Sequence, residues 1–197
     1  MAVFNVDRPQ TADLLQRDKA SKTAHPAEGE DGDGKAPRTI ADLNIAPAEL
    51  EVAIDAVLGD RLGALLCDSQ ADASASVQFL RDRGEGRATL MPRDARPRRP
   101  SDRPPRPDED EANRFGVRGR LMDLIQCVPG YQGVLDAALG HVLVLDTLDH
   151  ALAYYQLASD EGSLSPGALL CTLDGAVVDG HGAVTGGAQR GQGASVL

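Results

Sequence analysis

MDLIQCVPGYQGVLDAALG, residues 122–140, decides the fold, because the chain carries a close copy of it: ADLNIAPAELEVAIDAVLG at residues 41–59. Asp42-Leu43 corresponds to Asp123-Leu124, Pro47 to Pro129, and Leu58-Gly59 to Leu139-Gly140. In the first copy Pro47 stands as a first helical residue, and Glu49 and Glu51 sit in the first turn, where the helix dipole favours acids. Leu50, Ile54, Val57 and Leu58 recur at helical spacing, and Gly59 supplies the stop.

The correspondence continues outward. LGALLC and HVLVLD each read as a short buried strand, ending at Asp68 and Asp146. SQADASASVQFLRDRG and TLDHALAYYQLA each read as a second helix, with Ala73, Val77 and Leu80 on one face of the first and Leu148, Leu152 and Tyr155 on one face of the second. RATLMP and GALLCTLDG are the closing strands. The core is therefore an internal duplication of two helix–strand–helix–strand halves, residues 39–93 and 114–188. Between them, residues 94–113 form a linker with Pro97, Pro100, Pro104, Pro105 and Pro107, which exclude helix and central strand, an arginine half and an acidic half. Residues 1–38 are polar, acidic and Gly- and Pro-bearing and predict a disordered tail; residues 189–197 form a short C-terminal tail.

The 197 residues are 42 % apolar but only 3 % aromatic, with no Trp, so the core must be built of Ala, Leu and Val rather than around a ring-lined cavity. A net charge of −10 argues against a general nucleic-acid binder without excluding a local basic patch. Cys67, Cys127 and Cys171 lie in or beside apolar runs with no Cys-x-x-Cys spacing, which points to reduced thiols in a cytosolic protein. Neither a signal peptide nor a membrane span is expected.

Only the second half runs on past its matched strand, into DGAVVDGHGAVTGG, residues 174–187. Asp174-Gly175 and Asp179-Gly180 are tight-turn signals, and AVTGG is a last short strand. The stretch lacks the lysine and following helix of a phosphate loop, and its glycines do not open a helix as in a dinucleotide fold. Asp174, Asp179 and His181 form the one candidate metal or catalytic group, without a second histidine nearby; no metal ligand set, cofactor or nucleophile elbow is expected. The remaining reading is close backbone approach: Gly182, Gly186 and Gly187 let an edge strand lie very near another chain.

Three segments, LEVAIDAVLGDRLGALLCDSQADASASVQFLRDRGEGRATLMP, YQGVLDAALGHVLVLDTLDHALAYYQ and TLDGAVVDGHGAVTGG, resemble the hinge domain of SMC (structural maintenance of chromosomes) proteins over about residues 39–188. The resemblance implies an α+β fold of two pseudo-symmetric halves with mixed sheets and a non-enzymatic dimerisation module for chromosome organisation and segregation, in the cytoplasm at the chromosome or nucleoid. It places Gly182, Val184, Thr185, Gly186 and Gly187, with Gly191 beyond them, at the contact with a second hinge, in a homodimer or a heterodimer; RATLMP is the expected partner edge. Family members bind ATP at distant heads, but this chain has no Walker A motif and no heptad arm. The resemblance also implies weak DNA contact through Arg81, Arg83 and Arg87 and through Arg114, Arg118 and Arg120. Two other readings stay open: a small metal-dependent enzyme using Asp174, Asp179 and His181, and a nucleic-acid adaptor acting through the arginine-rich linker.

Overall fold

The computed structural model describes residues 39–187. The tails expected at residues 1–38 and 189–197, and Gly191, lie outside the described residues. The two copies of the repeat fold alike. The first gives β1 (Asn44–Ile45), a 3-10 turn at Ala48–Leu50, α1 (Glu51–Leu58), β2 (Leu65–Cys67), α2 (Gln70–Arg83) and β3 (Leu90–Pro92). The linker leads to α3 (Glu109–Phe115) and β4 (Val117–Arg120). The second copy follows as α4 (Leu121–Leu124), β5 (Gln126–Cys127), α5 (Gln132–Leu139), β6 (Val142–Leu145), α6 (Leu148–Asp160) and β7 (Leu169–Thr172), and the extension adds β8 (Val177–Asp179) and β9 (Val184–Thr185). This is an α+β fold.

Each copy contains a β–α–β crossover, which is why its two longer strands are parallel: β2 pairs with β3, and β6 with β7. The equivalent strands β1 and β5 pair with each other, antiparallel, Asn44 opposite Cys127 and Ile45 opposite Gln126. Antiparallel pairing of equivalents is the arrangement a local two-fold relation between the copies produces.

The chain divides into two compact units, and each unit takes residues from both copies. Among the described residues, one comprises 39–45, 60–97 and 126–137; the other comprises 46–59, 98–125 and 138–187. In the first unit β2 and β3 form a parallel pair, with Thr39 bridging to Leu65. Ser69 caps α2 by accepting from the amide of Asp72, and Gly84 closes the helix in the left-handed region. Tyr131 carries the guanidinium of Arg93 on its ring, 4.6 Å from the centroid.

The second unit is built on a five-stranded sheet in the order β4-β6-β7-β8-β9, parallel only between β6 and β7. Strand β6, VLVL, is buried on both faces, as an unbroken apolar run in a covered strand must be. One face packs on α6: Phe115, Leu143, Leu145, Leu170 and Val178 cluster with Ala151, Tyr154 and Ala158. The other face meets α1, where the Cys171 thiol reaches the carbonyl of Ala53. Burial pushes that thiol up to about 12. No disulfide joins the cysteines; Cys67 and Cys171 are buried and Cys127 half-buried.

The structure departs from the sequence reading in three places. The buried stripe of α6 is Ala151, Tyr154 and Ala158, flanked by the expected Leu148, Leu152 and Tyr155. Val77 stays exposed on α2, while Leu80 is buried. The linker is also more structured than its prolines predict. Helix α3 starts two residues after Pro107, because Asp108 and Glu111 cap it reciprocally and its first turn is acidic. Upstream, Asp94 accepts from the amide of Gln70.

Candidate functional site

The extension after β7 is built by two carboxylate turns. At the first, Thr172 Oγ1 donates to Asp174 and accepts from the amide of Ala176 at 2.9 Å, while Gly175 takes φ +85°. At the second, Asp179 Oδ1 accepts from the amides of His181 and Ala183, 2.9 Å each. Those amides hold the Asp179 carboxyl below its ordinary value. A lowered native pKa contributes stability that is fully present above the ordinary carboxylate value and is lost as pH falls below it through the lowered folded-state value. Asp179→Asn is therefore expected to lower Tm at neutral pH, with the gap to the parent protein closing in acid. Thermal melts from pH 7 downward check this, and a gap that is constant with pH would refute it.

Each glycine of this region has its own reason. Gly180 presses on the preceding loop: a Cβ there would lie 2.5 Å from the carbonyl oxygen of Ser165 and 2.6 Å from that of Pro166. Gly182 has φ +87° and lies against the Tyr155 hydroxyl, 2.8 Å from where its Cβ would be. Gly186 faces Ala176, and Gly187, at φ +121°, has open space around it. The expectation for Gly182 therefore meets an intrachain partner, Tyr155, that helical periodicity alone does not connect to it. Gly180, read from the sequence as a turn residue, has the tightest surroundings of the group.

Strand β9 is the outer strand of the sheet, and among the described residues nothing pairs with its far side. Val178 lies opposite Val184, and Val177 opposite Thr185. The amide of Asp179 donates to the carbonyl of Ala183, so that pair is a hydrogen-bonded one. By alternation, the N–H and C=O of Val184 turn to the open edge. Its side chain is 49 % exposed, and Thr185, Gly186 and Gly187 are exposed beside it. A short, apolar, unpaired edge is a template for another strand.

The other candidates disperse. Asp174 and Asp179 are spent on their turns, and among the described residues no group of three His, Cys, Asp or Glu side chains is placed to hold a metal. Arg118 Nε is paired with Asp146, and Arg83 lies over the ring of Phe79. Arg81 lines a groove with Ala73, Val77 and Leu90 beside β3. Arg120 donates to the Pro104 carbonyl. Among the described residues no helix is long and apolar enough to cross a membrane.

Residues 36–155 match the family described as the SMC proteins Flexible Hinge Domain, which is more than half of the chain. The chromosome partition protein Smc of Lactiplantibacillus plantarum is 31 % identical over 151 residues, which is 77 % of this chain and 12 % of that protein. The chain thus spans a small part of the relatives it matches. Among solved structures, the SMC hinge domain of Geobacillus stearothermophilus, crystallised as an asymmetric dimer, is similar with a TM-score of 0.60 and 24 % identity, covering 92 % of this chain and 74 % of that one. The hinge domain of the Pyrococcus furiosus SMC protein gives 0.61 and 20 %, covering 98 % and 87 %. The structural likenesses agree in fold with the duplicated, cross-paired architecture, and the sequence match covers both copies of its opening helix: the chain belongs to the SMC flexible hinge domain family.

Proposed function

We propose that this chain is a non-enzymatic pairing module of an SMC-type chromosome organisation protein, and that it joins a second hinge, identical or related, through the outer edge of β9. The open edge at Val184, flanked by Gly186 and Gly187, carries this reading. The receiving edge is β3 of the other hinge. That strand is the outer member of its own sheet, and Val77 stays exposed on the groove next to it. Two such contacts per pair make a closed, isologous dimer. The Geobacillus relative, a dimer in its crystal, supports pairing as the shared property. The same membership supports a chromosomal location.

Val184→Pro and Val184→Lys test the edge. Proline removes an N–H that no strand of the chain uses, and lysine is a residue natural edges carry to repel pairing. Light scattering across a concentration range is expected to show a dimer of twice 20.7 kDa for the parent chain. Both variants should be folded with weaker association, at least about tenfold for proline, since each lost edge hydrogen bond is worth roughly 1 kcal/mol and is lost at both contacts of the pair. Unchanged dimers in both variants would place the contact elsewhere.

A further inference from the structure

Strand β9 is two residues long, and among the described residues it pairs with β8 alone, Val177 opposite Thr185 and Val178 opposite Val184. So short a ladder is marginal by itself, and what holds β9 in place must come from the turn before it and from outside the sheet. Within the turn, Asp179 Oδ1 accepts from the amides of His181 and Ala183, and the Asp179 carbonyl accepts from the amide of Gly182 at 2.9 Å. From outside the sheet comes Tyr155. A Cβ at Gly182 would stand 2.8 Å from the Tyr155 hydroxyl and 3.0 Å from its Cζ, so the bare glycine lies against the end of the phenol. The helix that carries Tyr155 is a fixed base, because Ala151, Tyr154 and Ala158 of α6 are buried in the core of this unit. Tyr155 itself packs, half-buried, against the same cluster.

An edge strand that receives a partner must be ordered to do so, and the ordering cost is subtracted from the affinity unless the edge is already held in its bound shape. A tyrosine ring makes a stiff support, with few side-chain torsions to fix. Gly182, at φ +87°, brings the turn onto that ring with no side chain between them. Val184, whose N–H and C=O face the open edge, follows two residues later. We infer that Tyr155 is a positioning residue for the β9 edge: it holds the turn through Gly182, keeps Val184 aimed at the incoming strand, and so raises the pairing affinity without itself contacting the partner. The inference rests on the pairing reading of β9 and names the support that sets its strength.

The test is amide hydrogen exchange and sedimentation equilibrium of the full chain, both well below Tm, for the parent, Tyr155→Leu, Gly182→Ala, the double variant and Leu148→Ala. Leucine keeps an apolar side chain on α6 but is too short to reach the turn. Leu148 lies near the start of the same helix and packs against the same cluster, so its alanine variant controls for a general loss of helix stability. In Tyr155→Leu the Gly182 and Ala183 amides are expected to exchange about tenfold faster, and the dimer dissociation constant to rise about tenfold. Leu148→Ala should lower Tm while both readings stay within about twofold of the parent. Gly182→Ala should weaken pairing, and its cost should be at least about threefold smaller once residue 155 no longer meets the added Cβ. Unchanged exchange at Gly182 and Ala183 in Tyr155→Leu overturns the positioning role. So does an equal loss of pairing in Leu148→Ala, or an equal cost of Gly182→Ala in both backgrounds. These results, with the parent dimeric and Val184→Pro dissociated, defeat this inference alone. A parent that is monomeric at every concentration, or dimers that survive Val184→Pro, defeat the pairing reading and this inference with it.

Discussion

Gly180→Ala is expected to lower Tm by about 6–12 °C. The added Cβ would stand 2.5 and 2.6 Å from two backbone carbonyl oxygens, those of Ser165 and Pro166. Backbone cannot swing aside as a side-chain tip can, so the turn after β8 and the loop before β7 must part. Forced overpacking of this kind costs about 3 kcal/mol, and a chain of this size loses roughly 2–4 °C per kcal/mol. Gly84→Ala is the control. That position has φ +64° but nothing within 4 Å, so its substitution meets only conformational strain, about 1 kcal/mol. Differential scanning calorimetry of the pair separates lack of space from backbone preference. Equal losses would show that Gly180 is not closely packed. Because Gly180 lies in the turn between β8 and β9, its alanine variant should also dimerise less well, which links the packing of this turn to the pairing edge.

The duplication was legible because both copies keep a helix of the same register, stopped at Leu58 and Leu139, followed by an apolar strand. Apolar periodicity and glycine stops are local signals, and the two β–α–β units follow from them. The strands β1 and β5 were not legible: two residues long, they exist because the copies pair with each other, and no window of sequence contains that partnership. The α6 stripe was read one position off for a related reason. Tyr154 packs edge-on against Phe115, 5.7 Å between ring centroids, and so turns the helix toward a residue of the preceding segment that periodicity cannot see. At the site, the Asp-Gly turns were visible as turn chemistry. The neighbours that require glycine, Tyr155 at Gly182 and the Ser165–Pro166 carbonyls at Gly180, belong to tertiary packing.

The same exchange of parts gives the second large effect. Helix α1 belongs by sequence to the first copy, yet it covers the β7 face in the unit dominated by the second; Ala53 accepts from Cys171, and Val52 lies against Gly175. Reciprocally, residues 126–137 of the second copy complete the unit of the first, where Val128 donates to the Leu43 carbonyl and Tyr131 supports Arg93. Each copy alone would leave its sheet with an uncovered apolar face and β1 or β5 without its partner. A protease site inserted between Pro97 and Arg98, where one unit ends and the next begins, should therefore yield a nicked protein that keeps its circular dichroism and elutes as one species. Separated in denaturant and diluted singly, each piece is expected to remain largely unfolded, because neither retains the surface that buries its core. Mixed before dilution, the two should recover the native spectrum. Independent folding of either piece would mean that the copies are self-sufficient domains and that the exchange of α1 and α5 is an ornament of packing rather than a condition for it.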